Sequence, residues 1–448
     1  MPHRFRKRYL PLLLGLVVPL AVAGCATHAD YLRQVRQDFY LGHPEGAALA
    51  IDKRLKSVTN DTDVLKLERA MVDLSLGKPR EAELKLREVR DRFDQLEQKR
   101  LHESVLRMIT DDNAASYPGE DYEKILIRAF LALSNLMGDG GDAAAYSLQV
   151  EDKQNQIVQA GTDSSGKNPK LGYQRVALGA YIHGMLAEES FTNFDDAVRS
   201  YTKVVSWEQD YLPGRADIQR ATYGCHTARG NGALYVFTLV GRGPYKEQVS
   251  EIASTVSLLI ADRILSATSK HSLPPTIAPI KVPKVVLAMN NIHSVAVHVD
   301  GQALGNTQTI TYVGRMAAEQ YAAIYPEVIA RAVVRRVIKK GIIYAGKDVV
   351  HAERSPWMEL GLDAVGVAWE ATEAADTRCW GLLPDQIQVL RIELPAGDHL
   401  VSLRPSSGYG SMGADHAQKV TIHDARNTYM LANFPDQYLV GQILVSQH

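Results

Sequence analysis

The first half of the chain repeats one pattern, in which an apolar helical segment, a turn and an alanine-rich helical segment follow one another. The pattern occurs at residues 38–55, 72–89, 129–150 and 181–205. In the first two copies Gly42 and Gly77 lie 35 residues apart, and a proline follows each glycine two residues later. Glycine accepts the left-handed conformation that ends a helix, and proline suits the first turn of the next helix. The repeated pattern therefore predicts a series of helix pairs.

A small residue recurs where the two helices of each pair must approach closely, at Ala47, Ala82, Ala143 and Ala197. With a period of about 34 residues, such pairs resemble tetratricopeptide repeats. The spacing is irregular, because Gly138 follows Gly77 by 61 residues. The resemblance implies an α-solenoid whose concave groove binds segments of other proteins. A helical bundle with coincidental turns is the alternative interpretation.

Apolar runs with the two-residue alternation of half-buried strands begin near residue 230. The predicted strands are Ala233–Val240, Val285–Met289, Ser294–Val299, Thr307–Val313, Gln386–Glu393, Asp398–Leu403, Gln418–His423 and Thr428–Leu431. Helical periodicity interrupts them at residues 247–266, 314–340 and 358–376. We therefore predict an α+β multidomain chain with a signal segment at 1–24 and a helical repeat domain at 25–228. A β-rich, sandwich-like domain follows at 229–448, with a helical insertion at about 314–376.

Two stretches of the β-rich half, Val297–Thr307 and Leu394–Leu403, resemble a PEGA-type surface β-domain. The order of elements along the whole chain resembles a group of uncharacterised bacterial lipoproteins, which join degenerate tetratricopeptide-like repeats to a C-terminal β-domain. The matching segments are Tyr117–Lys124, Gly243–Glu247 and Ala375–Trp380. This resemblance implies an architecture and no catalytic residues.

The N-terminus has the pattern of a processed export signal. Four basic residues within positions 4–8 precede Leu10–Ala23, a run of 14 residues without charge. That run is shorter than the roughly 20 apolar residues of a membrane span and suits a signal peptide. It ends in Ala23-Gly24-Cys25, which is similar to a lipobox and implies lipidation of Cys25. Ala26 is not the aspartate typical of inner-membrane retention, so we expect an outer-membrane lipoprotein on the periplasmic side. An ordinary secretory signal is the alternative.

Charge and cysteine content exclude several classes of function. The chain has 50 basic and 51 acidic residues, a formal net charge of −1, and loses four basic residues with the signal segment. The resulting charge of −5 is unlike the basic excess of nucleic-acid-binding proteins, so no nucleic-acid partner is expected. Three cysteines cannot form a disulfide framework. Whether Cys225 and Cys379 pair or remain free thiols is open from the sequence.

Two short segments approach known cofactor-binding motifs, but their residues or flanking elements do not fit those motifs. Residues 161–168 approach a phosphate-binding loop, but Asn168 replaces the Ser or Thr that would hold magnesium, and no apolar strand precedes them. Residues 408–413 spell G-x-G-x-x-G, yet a strand instead of a helix follows, which predicts a hairpin loop. The histidines include no H-E-x-x-H pair. We therefore predict no catalytic residue, no cofactor and no metal.

A basic stripe on the predicted helix 314–340 is the remaining candidate. It comprises Arg335, Arg336, Lys339 and Lys340. The simpler interpretation is a helix whose apolar face packs on the β-domain while its basic residues face water. The functional alternative is a contact with lipid head groups or an acidic partner.

These observations indicate a non-enzymatic lipoprotein, held at the membrane by lipid on Cys25, that acts as a scaffold or assembly factor for an envelope complex. Such a complex could serve secretion, polysaccharide export or flagellar assembly, with its subunits bound through the repeat groove. A peptidoglycan- or carbohydrate-binding lipoprotein is one alternative, for which Tyr409, Tyr429 and Tyr438 would be exposed aromatic platforms. An envelope hydrolase with no local motif is the other.

Overall fold

A computed structural model describes residues 28–102, 116–162, 166–268, 273, 277–350 and 374–446. Nine helices precede the first strand within this part of the chain. They are α1 (His28–Tyr40), α2 (Pro44–Leu55), α3 (Thr62–Ser75), α4 (Pro79–His102), α5 (Asp121–Met137), α6 (Ala143–Gln159), α7 (Ala177–Glu189), α8 (Phe194–Trp207) and α9 (Gly214–Thr222). Each helix packs against the next one along the chain. The four repeated segments coincide with the turns of the first eight helices.

Turn residues and small side chains account for this arrangement. Gly42 and Gly77 have φ angles of +83° and +75°, the left-handed conformation expected of glycines that end α1 and α3. Pro44 and Pro79 occupy the first positions of α2 and α4. All four alanines at the predicted close approaches are fully buried: Ala47, Ala82, Ala143 and Ala197.

The C-terminal half contains two larger sheets. The first has the order β12 (Leu444–Val445), β11 (Asn427–Phe434), β1 (Asn231–Val240), β7 (Gln386–Pro395) and β6 (Gln308–Tyr312). The second has the order β10 (His416–Ile422), β8 (Gly397–Ser407), β4 (Ser294–Val299) and β5 (Gln302–Asn306), with β9 (Gly410–Ser411) paired to β8. The described part of the chain is therefore α+β, with helices first and sheets after them.

The first sheet is buried on both faces, which explains why β1 is almost continuously apolar. Leu234 and Val236 join Val297 and Leu403 in a core between the two sheets. The alternate residues of β1, including Tyr235, belong instead to a core shared with the nine helices. Because strand side chains alternate between faces, β1 connects the β-sandwich to the helical half.

A smaller lobe stands on its own core beside this body. It contains the hairpin of β2 (Tyr245–Glu251) and β3 (Ile280–Val286), together with α10 (Thr255–Thr268) and part of α11 (Val313–Val350). The helix predicted over 247–266 is wrong at its start, and the strand predicted over Val285–Met289 begins and ends too late. Pro279 lies directly before β3 and Pro283 within it. Pairing with β3 holds the polar residues of β2 extended. The helix predicted over 358–376 lies outside the described residues up to 373, and residues 374–376 are not helical.

Among the residues that the structure describes, no helix has the combination of length and apolar character that a membrane span requires.

Candidate functional site

A segment of the C-terminal half lies buried among the helices of the N-terminal half. It precedes β7, and residues 378–384 within it are all buried. It forms hydrogen bonds with residues on α1, α3 and α5, which are the first helices of three successive helix pairs. We call residues 374–385 the inserted segment, because its central part is buried between helices of the N-terminal half.

Two buried glutamates bind the backbone of the inserted segment. The Glu68 carboxylate on α3 accepts hydrogen bonds from the N–H groups of Gly381 and Leu382, each at 2.8 Å. The Glu123 carboxylate on α5 accepts one from the N–H of Trp380 at 2.7 Å. Three consecutive N–H groups of the segment therefore donate to side-chain carboxyl groups. Hydrogen bonds to the backbone allow a protein to hold an extended peptide independently of the side chains of that peptide.

Side chains fix the register of the inserted segment. Trp380 is fully buried, and its ring lies 5.4 Å from that of Phe130. The Tyr40 hydroxyl donates to the carbonyl of Gly381 at 3.0 Å. A Cβ on residue 381 would overlap the guanidinium of Arg36, so any residue other than glycine there would displace that side chain. A large aromatic anchor beside a glycine is a specific pairing that neighbouring registers of the segment lack.

The Glu123 centre is held mainly by neutral donors. Its oxygens accept from the Tyr117 hydroxyl at 2.6 Å, the Tyr122 hydroxyl at 3.3 Å and the Glu120 N–H at 3.0 Å, besides Trp380. Burial raises the pKa of Glu123 to about 7, an effect that the charge of Glu120 reinforces. Lys246 on β2 lowers it again from nearby, but forms its direct ion pair with Glu120.

Basic side chains close the remaining sides of the inserted segment. Arg36 donates to the Cys379 sulfur at 3.6 Å and lies 3.7 Å from Glu68. Burial raises the pKa of the Cys379 thiol, so this cysteine is a buried neutral group. Arg378 pairs with Asp376 at 2.7 Å and donates to the carbonyl of Asn60 at 3.2 Å, next to the start of α3.

A third buried glutamate lies further along the helical array. Glu188 on α7 forms a bidentate pair with Arg220 on α9, with 2.8 Å between Nη2 and Oε2. The Tyr201 hydroxyl donates to it at 2.7 Å, and its pKa is lowered to about 2 because hydrogen bonds and the Arg220 charge outweigh burial. Arg391 on β7 lies over the Tyr235 ring and extends the cluster into the first sheet. This centre therefore joins α7–α9 to the β-sandwich.

The acidic side chains of a cleft at the junction of α5, α11 and β2 are engaged with lysines. Glu120 pairs with Lys246, and Asp121 pairs with Lys170 at 2.6 Å. In the described ranges no group of three or more His, Cys, Asp or Glu side chains is arranged to hold a metal ion. Both carboxylates of this cleft are therefore held in ion pairs.

The residues predicted from the sequence are not gathered in one place. Cys25 lies outside the described residues, as do the side chains of Lys339 and Lys340. Arg335 and Arg336 are half-buried on α11, where Arg336 donates to the carbonyls of Ala278 at 3.0 Å and Pro279 at 2.8 Å.

The tyrosines and cysteines considered in the sequence analysis also differ in exposure. Tyr409 and Tyr438 are exposed, but Tyr429 is buried against the helices, so the prediction of an exposed platform is wrong for Tyr429. It faces the helical half because β11 is buried on both faces. Cys225 is exposed and Cys379 buried, and both are free thiols.

Sequence reasoning missed the glutamates that bind the inserted segment. Glu68 and Glu123 are fully buried, yet in the sequence they sit in helices rich in other charges. The available signal was the run Arg378-Cys379-Trp380-Gly381, which is unusually rich in buried-type residues for a connection between elements.

Comparisons of the chain with protein-family models, with curated proteins and with solved structures find no match.

Proposed function

We propose that this protein is an outer-membrane lipoprotein, anchored by lipid on Cys25 and facing the periplasm, that acts as a non-enzymatic scaffold for an envelope complex. The observation that carries the proposal is the way its helical half binds the inserted segment. Buried carboxylates on α3 and α5 receive three backbone N–H groups, and an aromatic pocket receives Trp380. A helical array with this chemistry is a surface for binding polypeptide.

The consecutive packing of helix pairs supports a divergent tetratricopeptide-like solenoid as the architecture of this half. Part of its groove is filled by the chain itself, so partner proteins would bind elsewhere on the array. The second helix of each pair supplies such a surface. An exposed leucine occupies the sixth position of three of these helices: Leu49 on α2, Leu84 on α4 and Leu148 on α6. Between α4 and α6, Arg87 donates to the Tyr146 hydroxyl at 2.8 Å, so these two helices are neighbours. Exposed apolar residues that recur on adjacent helices are typical of an interaction surface.

The test is a crosslinking pulldown of the full chain from native membranes. We expect stoichiometric recovery of envelope-complex subunits, and loss of that recovery in Cys25→Ser, which removes the acylated sulfur. The double variant Leu84→Ser/Leu148→Ser should also lose the partners while staying in the membrane fraction. Val256→Ser/Leu259→Ser, on α10, is the matched control and should keep them.

The opposite results would favour the alternatives. Retention of glycan strands with no protein partner would support a wall-binding lipoprotein. Turnover of an envelope polymer by the purified chain would support the hydrolase.

A further inference from the structure

We propose that the exposed face of α10 rests on an anionic lipid surface, the membrane to which Cys25 would tether the chain. This inference deepens the proposed function and rests on it for the anchor. It assigns a second, non-covalent membrane contact to the lobe formed by β2, β3, α10 and α11.

The face of α10 that points away from its core carries exposed apolar residues together with one cation, Arg263, and one anion, Asp262. Val256, Leu259 and Arg263 follow at helical spacing on that face and are exposed, Val256 to 53% and Leu259 to 60%. Ile252, just before the helix, is 76% exposed. The opposite face of α10 is buried in the core of the lobe, so this exposure belongs to one side of a well-packed helix. Apolar and basic residues together on one surface are typical of helices that lie at a membrane interface.

The lobe is also the basic part of a nearly neutral chain. Residues 252–268, 277–283 and 327–338 contain five basic and two acidic side chains, a net charge of +3, against −1 for the whole chain. The basic residues are Arg263, Lys281, Arg331, Arg335 and Arg336. Arg336 donates to backbone carbonyls and Arg331 pairs with Glu327, yet both positive charges remain in the field of the lobe. Because each basic residue near an anionic membrane adds electrostatic attraction, this charge favours an anionic lipid surface over a neutral one.

The last turns of α1 lie beside the start of the lobe. Tyr40, at the end of α1, lies against Arg242, with 4.6 Å from the guanidinium carbon to the ring centre. One turn earlier, Arg36 contacts Cys379 and acts electrostatically on Tyr245 at the start of β2. These contacts place the end of α1 beside the start of β2, the first element of the lobe. His28, the first residue of α1, is only three residues from Cys25.

The lipid tether and the exposed face of α10 would act together at the membrane. A short tether from Cys25 would hold α1 close to the membrane, and the lobe, whose first strand begins beside α1, would be held near the bilayer with it. Lipid anchoring of this kind raises the local concentration of the α10 face at the bilayer, so a weak surface contact is sufficient to orient the molecule. The leucines of α2, α4 and α6 would then remain available to partner proteins.

The test is co-sedimentation of the chain from residue 25 onwards, carrying Cys25→Ser, with lipid vesicles. Removing the acyl groups in this way isolates the surface contact from the tether. We expect binding to vesicles of phosphatidylethanolamine with 30% phosphatidylglycerol, weakened about tenfold or more on zwitterionic phosphatidylcholine vesicles and at 0.5 M salt. Val256→Ser/Leu259→Ser should lower the affinity for anionic vesicles by about tenfold, because two exposed apolar side chains leave the interface. Leu84→Ser/Leu148→Ser makes the same change on the helical array and should leave vesicle binding unchanged.

Equal loss of binding in both double variants would overturn the proposal, as would a lack of binding by the unaltered chain. Self-association of the unaltered chain that Val256→Ser/Leu259→Ser abolishes, in the absence of lipid, would also overturn it, because a second copy would then cover the face. The pulldown from membranes tests the anchor and the partners without vesicles, so a failure there is distinguishable from a failure of the α10 face.

Discussion

The helical array joins the β-rich half through buried glutamates on α5 and α7 whose surroundings are opposite in kind. Glu123 is surrounded by two tyrosine hydroxyls and two backbone N–H groups, and its pKa is raised to about 7. Glu188 faces the guanidinium of Arg220 in a bidentate pair, and its pKa is lowered to about 2. Both carboxyls belong to fully buried residues. Burial therefore does not decide the charge of either group; the presence of a directly bound cation does.

The largest expected effect is the difference between the two centres in the stability lost when their carboxylate is neutralised. Glu188→Gln removes the bidentate partner of the buried Arg220 and leaves it paired with Asp217 alone. Removing one partner of a buried ion pair typically costs about 3–5 kcal/mol. Glu123→Gln replaces an acceptor of neutral donors by a neutral amide, and we expect a loss of about 1–2 kcal/mol. The measurement is the free energy of unfolding of each variant by chemical denaturation at pH 7.

The control is Glu88→Gln, which neutralises an exposed carboxylate paired with Lys66 and should change stability by less than about 1 kcal/mol. Equal costs for Glu188→Gln and Glu123→Gln would contradict the comparison, since the two centres would then be energetically alike.

The pH dependence of stability should have opposite signs at the two glutamates. Because the pKa of Glu123 is raised from 4.5 to about 7 in the folded state, its contribution is present below about pH 4.5 and is lost as the pH rises through 7. Because the pKa of Glu188 is lowered to about 2, its contribution is present above about pH 4.5 and is lost as the pH falls through 2.

Between pH 5 and pH 8 these signs give different slopes. The unfolding free energy of the unaltered chain minus that of Glu123→Gln should fall by roughly 2 kcal/mol over this range. The same difference for Glu188→Gln should stay flat. The measurement is a series of denaturation curves at intervals of half a pH unit, and a flat profile for both variants would show that Glu123 is ionised throughout.

The parts of the fold that the sequence predicts are those set by local chemistry. The turns at Gly42 and Gly77 follow from left-handed glycines and the prolines after them, and β1 follows from its apolar run. The binding of the inserted segment is not local, because Glu68 and Glu123 lie 313 and 257 residues from the N–H groups they accept. Nothing in the periodicity of α3 or α5 distinguishes these glutamates from those on a solvated face. The strand β2 was missed for the same reason, since it is extended only by pairing with β3.

The smallest expected effect compares the tyrosines that donate to the two carboxylates. Tyr117→Phe removes a hydroxyl 2.6 Å from Glu123, and Tyr201→Phe removes one 2.7 Å from Glu188. The distances are nearly the same, but Glu188 keeps its bidentate arginine, whereas Glu123 depends on neutral donors. We therefore expect Tyr117→Phe to cost about 1–1.5 kcal/mol and Tyr201→Phe about half as much, measured as the free energy of unfolding at pH 8, where Glu123 is ionised. At pH 5 the cost of Tyr117→Phe should shrink, because a protonated Glu123 needs the hydroxyl less, and the cost of Tyr201→Phe should not change. A pH-independent cost of Tyr117→Phe would mean that its hydroxyl serves packing and not the charge of Glu123.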